Sequence, residues 1–272
     1  MRVVNNRGLI KNRARFGRFS TLGGFAILLG GLAYSAFGVG GQDPNAILVS
    51  YAALVVGYLL ISVGKGSWLR FSVRPRADEV LAINLKTFDT RAILFNYVSN
   101  LPVDHLLLTP NGCVVVETRP YIGDIVVTGD RWSRKRGLFG WLQFISEGAL
   151  GNPTKDALRG VESVRAMLAQ RLGAEIAAQI PVEPAVVFTH SRVSLSIENP
   201  TIRVCHARDC RGELKALLGS NKAPGDAMRR LEVQLIQEAA IEGEPVSAGE
   251  AIDRPAAKRK RPRAAAKLKS GK

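Results

Sequence analysis

Two long apolar runs open the chain, and shorter alternating and helical patterns fill the rest. No charged residue interrupts Thr21 to Gly41 or Ala46 to Gly64. Each run is long enough to cross a bilayer core, which takes roughly 17–25 mostly apolar residues. The polar segment Gln42-Asp43-Pro44-Asn45 between them contains a helix breaker, so the pattern predicts two helices joined by a tight reversal. Gly23, Gly24, Gly30 and Gly31 are expected to let the helices approach closely. A cleaved signal peptide is disfavoured by the long basic leader, the lack of an A-x-A site and the immediate second apolar run. Neither run holds an acid, amide or histidine. A transporter or channel needs polar groups at mid-depth, so the hairpin reads as an anchor.

Beyond it, Asp78 onward has helical spacing at Val80, Leu81, Ile83, Leu85 and Phe88, followed by a strand near Ile93–Val98. The runs VDHLLLTP and CVVVETR flank Asn111-Gly112, a strong hairpin signal. Asp124–Thr128 predicts a third strand, and residues 131–151 lack a steady period and read as a loop or insertion. Asn152-Pro153 opens a helix through Leu172, with Ala157, Leu158, Val161, Val164, Leu168 and Leu172 along one face. Strands at Pro184–Thr189 and Ile202–Val204 follow, then helices at Arg211–Leu218 and Asp226–Ile241. This order predicts an α/β or α+β mixed sheet with flanking helices, preceded by two transmembrane helices.

Charge changes the picture. The formal net charge of +15 and pI near 10.2 suggest a nucleic-acid binder. Yet residues 1–76 carry ten Lys/Arg against one acid, and residues 254–272 carry nine against none. That leaves nineteen basic and twenty-two acidic residues in 77–253, a net of −3. The basic excess belongs to the ends. Arg2, Arg7, Lys11, Arg13, Arg15 and Arg18 precede the hairpin, Lys65, Arg70, Arg74 and Arg76 follow it, and its turn has no cation. Both flanks are therefore expected in the cytoplasm, with the protein in the inner (cytoplasmic) membrane of a bacterial-type cell as a multi-pass protein. The odd cysteine set, Cys113, Cys205 and Cys210, suits a reducing compartment. Cys205, His206 and Cys210 are expected to be structural or free rather than a zinc site, which usually pairs two short motifs.

The hairpin places candidate chemistry. With Asn111-Gly112 as a two-residue turn, partners sum to 223 and Asp104 faces Arg119. With Thr109–Gly112 as a four-residue loop, they sum to 221 and Asp104 faces Glu117. Either register puts Asp104, Glu117 and Arg119 on one face and His105, Val114, Val116 and Thr118 on the other. Two carboxylates across a strand pair can share one Mg²⁺, with Mn²⁺ as substitute, the chemistry of metal-assisted phosphodiester cleavage. An ion pair of Arg119 with Asp104 or Glu117 is the plainer alternative.

The run LPVDHLLLTPNGCVVVETRPYIGDI, with Asp78-Glu79 upstream, Trp132 and Asn152-Pro153 downstream and the PAVVF strand beyond, resembles the NERD (nuclease-related) domain. The resemblance covers about Asp78 to Leu218. It implies a restriction-endonuclease-like fold of the PD-(D/E)xK type and DNA cleavage, with Glu79 as the upstream acid, Asp104 as the metal-binding Asp and Glu117 as the acid of E-x-K. Tyr121 and Gly123 match the aromatic residue and glycine that follow. Two positions depart from the pattern. Arg119 stands where the family has lysine, and Asp156 where Asn-Pro-x-x-Gln places glutamine. Arginine stays charged and cannot serve as a base, so the resemblance implies an endonuclease weakened at this position.

The expected organisation is a basic cytoplasmic leader (1–20), a hairpin (21–64), a linker (65–77), the nuclease-related domain (78–219), a helix with a polar stretch (220–253) and a disordered basic tail (254–272). Arg131, Arg134, Lys135 and Arg136, with Trp132 and Trp141 nearby, are candidates for phosphate contact and base stacking. The tail is expected on anionic lipid or nucleic acid. Two functions follow: a bilayer-tethered, Mg²⁺-dependent nuclease using Glu79, Asp104, Glu117 and Arg119, or a non-catalytic module that binds DNA or a protein partner at the membrane.

Overall fold

The computed structural model describes residues 1–37, 44–134, 150–219 and 223–241. The expected turn at 42–45 lies largely outside these residues, and the tail, Lys135, Arg136 and Trp141 lie wholly outside them.

Helices α1 (Arg7–Phe37) and α2 (Pro44–Phe71) form the N-terminal hairpin. Both are long and apolar enough to cross a membrane, and only 6% and 11% of their most apolar windows are buried. Phe19, Leu22, Phe25, Leu32, Leu48, Tyr51 and Leu59 face outward. A soluble core helix would bury such residues. The helices meet along glycines. A methyl group added at Gly24 would sit 2.7 Å from the Gly57 carbonyl oxygen, and one at Gly31 would sit 2.5 Å from the Ala53 Cβ. Gly17 and Gly64 lie equally close to the opposite helix, giving a seventh-residue repeat of Gly17, Gly24 and Gly31 on α1 facing Gly57 and Gly64 on α2. Gly23 and Gly30, expected in this seam, have open space around them, because the seam follows every second turn and each glycine pair contributes one member.

The leader is more than a leader. Its residues Arg2–Asn5 form β1, which pairs in parallel with β2 (Ile93–Asn96). The segment expected as a linker continues α2 to Phe71 before α3 (Ala77–Asn84) begins. Both ends of the hairpin are thus joined to the sheet. Cleavage after α1 would remove an integrated strand, which argues against a signal peptide.

Strands β3 (His105–Thr109), β4 (Gly112–Arg119), β7 (Val182–Phe188) and β9 (Arg203–His206) complete a six-stranded mixed sheet in the order β1-β2-β3-β4-β7-β9. A smaller sheet, β6-β5-β8, consists of β5 (Gly123–Thr128), β6 (Arg131–Arg134) and β8 (Val193–Glu198). The aperiodic segment expected as a loop from 131 therefore begins as a strand, which pairs antiparallel with β5. One face of the large sheet packs against α4 (Pro153–Leu172), α5 (Ala174–Ala178) and α7 (Gly225–Ile241), through Val161, Val164, Leu168, Leu231 and Leu235. The other face is covered by α3 and α6 (Cys210–Leu217), through Val80, Leu81 and Leu214. The result is the expected mixed sheet with flanking helices. Cys113 lies in the first of these cores and Cys205 and Cys210 in the second, all three as buried free thiols.

Candidate functional site

The β3–β4 register decides which acids meet. Leu106 pairs with Val115 and Thr109 with Gly112, so partners sum to 221 and the loop is Pro110-Asn111. Gly112 closes the turn at φ 139°, and a Cβ there would lie 2.5 Å from the Pro181 carbonyl oxygen. That oxygen accepts the Cys113 N–H at 2.9 Å. Glycine is required by this close approach to the strand beside it. Asp104 immediately precedes β3, and the last observed pair is Leu106 with Val115; the same sum carried two residues further would set Asp104 opposite Glu117.

Glu117 and Arg119 leave β4 on the α4 face, as alternation demands. The Arg119 guanidinium donates to Glu117 Oε1 through Nη1 and to Asp156 Oδ2 on α4 through Nη2. The two departures from the family pattern therefore meet in one ion pair. Burial pushes the Glu117 carboxyl above the usual range, while Arg119 and Arg70 pull in the opposite direction. Asp104 has its own cation, pairing with Arg70 in the last turn of α2. The Arg70 guanidinium also lies 5.8 Å from the centre of the Tyr97 ring.

Glu79 is engaged elsewhere. At the third position of α3 its carboxylate accepts the Arg76 backbone N–H at 3.2 Å and lies 3.2 Å from the Arg76 guanidinium and 3.7 Å from that of Arg74. This back-reaching carboxylate satisfies the N–H of the N-cap residue and holds the start of the helix. The residue beside it, Asp78, is 1% exposed and takes two hydrogen bonds of 2.9 Å from Arg76. Arg70 and Asp78 were missed from sequence. Arg70 stands more than thirty residues from Asp104, and Asp78 enters the resemblance only as the neighbour of Glu79, with no role of its own.

His105 points to the face opposite Asp104. Its Nδ1 lies 2.7 Å from Asn96 Oδ1, and Asn96 Nδ2 donates to Asn5 Oδ1 at 2.6 Å. The imidazole must carry its proton on Nδ1 to donate there. Burial lowers its pKa to about 3. The three side chains link β3, β2 and β1 as a buried polar strut.

Of the predicted basic patch, Arg131 is exposed on β6, while the Arg134 guanidinium donates to the Ile122 carbonyl and lies 5.8 Å from the Tyr121 ring centre. Trp132 donates from Nε1 to Thr154 Oγ1 at 2.8 Å and stacks on Phe188 with ring centres 6.0 Å apart. It packs inward and offers no platform for a base.

As folded, the two carboxylates that could share a metal ion, Asp104 and Glu117, are both engaged by arginines. Among the described residues, no three His, Cys, Asp or Glu side chains gather in a group able to hold one.

Residues 77–189, from α3 through β7, match the family model of the nuclease-related domain, NERD. Nuclease-like function is what this match suggests. The match includes Glu79, Asp104, Glu117, Arg119 and Asp156 and excludes the hairpin, β1 and β9. No curated protein and no solved structure matches the chain.

Proposed function

We propose that this chain is a membrane-anchored nuclease-related module that binds nucleic acid at the cytoplasmic face and has lost efficient phosphodiester cleavage. One observation carries the reading: Arg119 bridges Glu117 and Asp156 at the positions where the family pattern has lysine and glutamine. A guanidinium held between two carboxylates neutralises the charge that would attract a divalent ion, and it cannot give up a proton at neutral pH. The anchor rests on two outward-apolar helices and on basic flanks that favour the cytoplasmic side. Nucleic acid as ligand follows from the family match, with exposed Arg131 and the basic tail as further contacts for phosphate.

A second reading, a Mg²⁺- or Mn²⁺-dependent nuclease, is favoured by Asp104 and Glu117 falling on one face of the β3–β4 hairpin by alternation. Incubating the full chain in detergent with plasmid and single-stranded DNA, with and without Mg²⁺ or Mn²⁺, separates the two. We expect DNA retention without cutting in the wild type. Metal-dependent cutting that is lost in Glu117→Ala would establish the nuclease instead. Absence of both cutting and DNA retention would overturn both readings.

A further inference from the structure

A cleft of about 490 Å³ lies where the domain ends of α1 and α2 meet the β2–β3 connection. Val63, inside the uncharged run of α2, supplies apolar wall at the hairpin end, Leu9, Phe71 and Leu101 supply it at the domain end, and Arg13 and Arg70 supply two guanidinium groups. Asp104 supplies the one carboxylate, so the lining side chains sum to a single positive charge. Arg13 is exposed and makes no ion pair among the described residues. Ser67 and Ser99 add hydroxyls. Ser99 Oγ accepts from Asn6 Nδ2 at 3.2 Å, which leaves its own hydrogen to donate.

We infer that this cleft is a binding site for the headgroup of an anionic phospholipid, with Arg13 and Arg70 on the phosphodiester and Val63 against the start of the acyl chains. The charge matches, since one phosphodiester carries one negative charge. The depth matches too: Arg13 stands eight residues before the uncharged run of α1 begins, and Arg70 six residues after that of α2 ends. Both therefore sit where a headgroup lies if the hairpin spans the membrane. Arg70 is shared with Asp104, so lipid phosphate and the Asp104 carboxylate compete for one cation. Membrane composition thereby reaches an acid of the nuclease-related site.

The test titrates the full chain in neutral detergent with dihexanoyl phosphatidylglycerol, dihexanoyl phosphatidylcholine and inorganic phosphate, following heat or native mass. We expect saturable binding of phosphatidylglycerol that is tighter than that of either control. Arg13→Gln should weaken it about fivefold, the equivalent of about 1 kcal/mol per basic residue near a membrane surface. Asp104→Asn should tighten it by removing the competing anion. Inorganic phosphate binding as well as phosphatidylglycerol would make the cleft a free-phosphate site and overturn the inference. So would equal binding of the two lipids, or unchanged binding in either variant. Carbonate extraction of membranes reports separately on whether the hairpin is embedded.

Discussion

The helical hairpin and the sheet domain are held together by opposite means. Along the α1–α2 seam side chains are missing, and backbones approach until a methyl group has no room. In the domain, buried polar and charged side chains are present and partnered, Asp78 by Arg76, Glu117 by Arg119 and His105 by Asn96, with His105 Nε2 and Arg119 Nε left buried without a hydrogen bond. The hairpin's uncharged runs contain nothing that titrates near neutrality, whereas the domain's interior does. The contrast teaches that conditions which alter protonation should act on one part and spare the other, while added volume should do the reverse.

Acid gives the largest expected effect. Folded His105 is held neutral to about pH 3, whereas an unfolded histidine gains its proton near pH 6.5. The unfolded state then binds more protons between these values, so stability present above pH 6.5 is lost as pH falls toward 3. The full shift corresponds to an upper limit of about 4–5 kcal/mol. Denaturant titrations from pH 7 to pH 4 should show the domain weakening while hairpin helicity persists, and His105→Gln should flatten the slope. Glu117 works the other way: its raised carboxyl pKa stabilises the fold below the ordinary glutamate value, and that contribution is lost as pH rises through the folded value.

Asp78→Ala tests the domain without changing pH. It leaves the largely buried Arg76 guanidinium without its bidentate partner, and breaking such a pair costs about 3–5 kcal/mol. A urea midpoint measured on the full chain in detergent should fall accordingly, with Asp78→Asn falling less.

For the hairpin, Gly57→Leu should cost about 1–3 kcal/mol by overpacking, because even the first added carbon meets Leu28 at 2.7 Å and the Gly24 carbonyl oxygen at 2.8 Å. Gly23→Leu, pointing into open space, should change thermal stability by no more than about 0.5 kcal/mol. Equal effects at the two positions would break the seam assignment.

The smallest effect is expected at the candidate site. Asp156→Asn removes one of two carboxylates on Arg119, and a partly exposed pair contributes about 0.5–1 kcal/mol. Its thermal midpoint should move by only a few degrees.

The parts legible in the sequence are those written in a local period. The uncharged runs of α1 and α2, the helical stripe of α4 and the alternation in β3 and β4 each announce their element within a window of residues. Alternation also placed Asp104, Glu117 and Arg119 on one face before the register was known. What escaped is written across distance. β1 is four residues beside a basic stretch, and only pairing with β2 makes it a strand. Trp132 looks like a base-stacking aromatic until Thr154 and Phe188 close around it. Arg70 belongs to a helix end by position and to Asp104 by folding. The Asn111-Gly112 signal located the turn but not its register, because Gly112 answers to Pro181, just before the neighbouring strand β7, rather than to the turn alone.

On the proposed reading, Arg70 and Arg119 neutralise Asp104 and Glu117 in place of a metal ion. Titrating Mn²⁺ into the full chain in detergent, read by the paramagnetic signal of the free ion, tests it directly beside Glu117→Gln. The account predicts superimposable titrations for the two proteins, with no site filled in the wild type that the variant lacks. One Mn²⁺ bound by the wild type and lost in Glu117→Gln would contradict it.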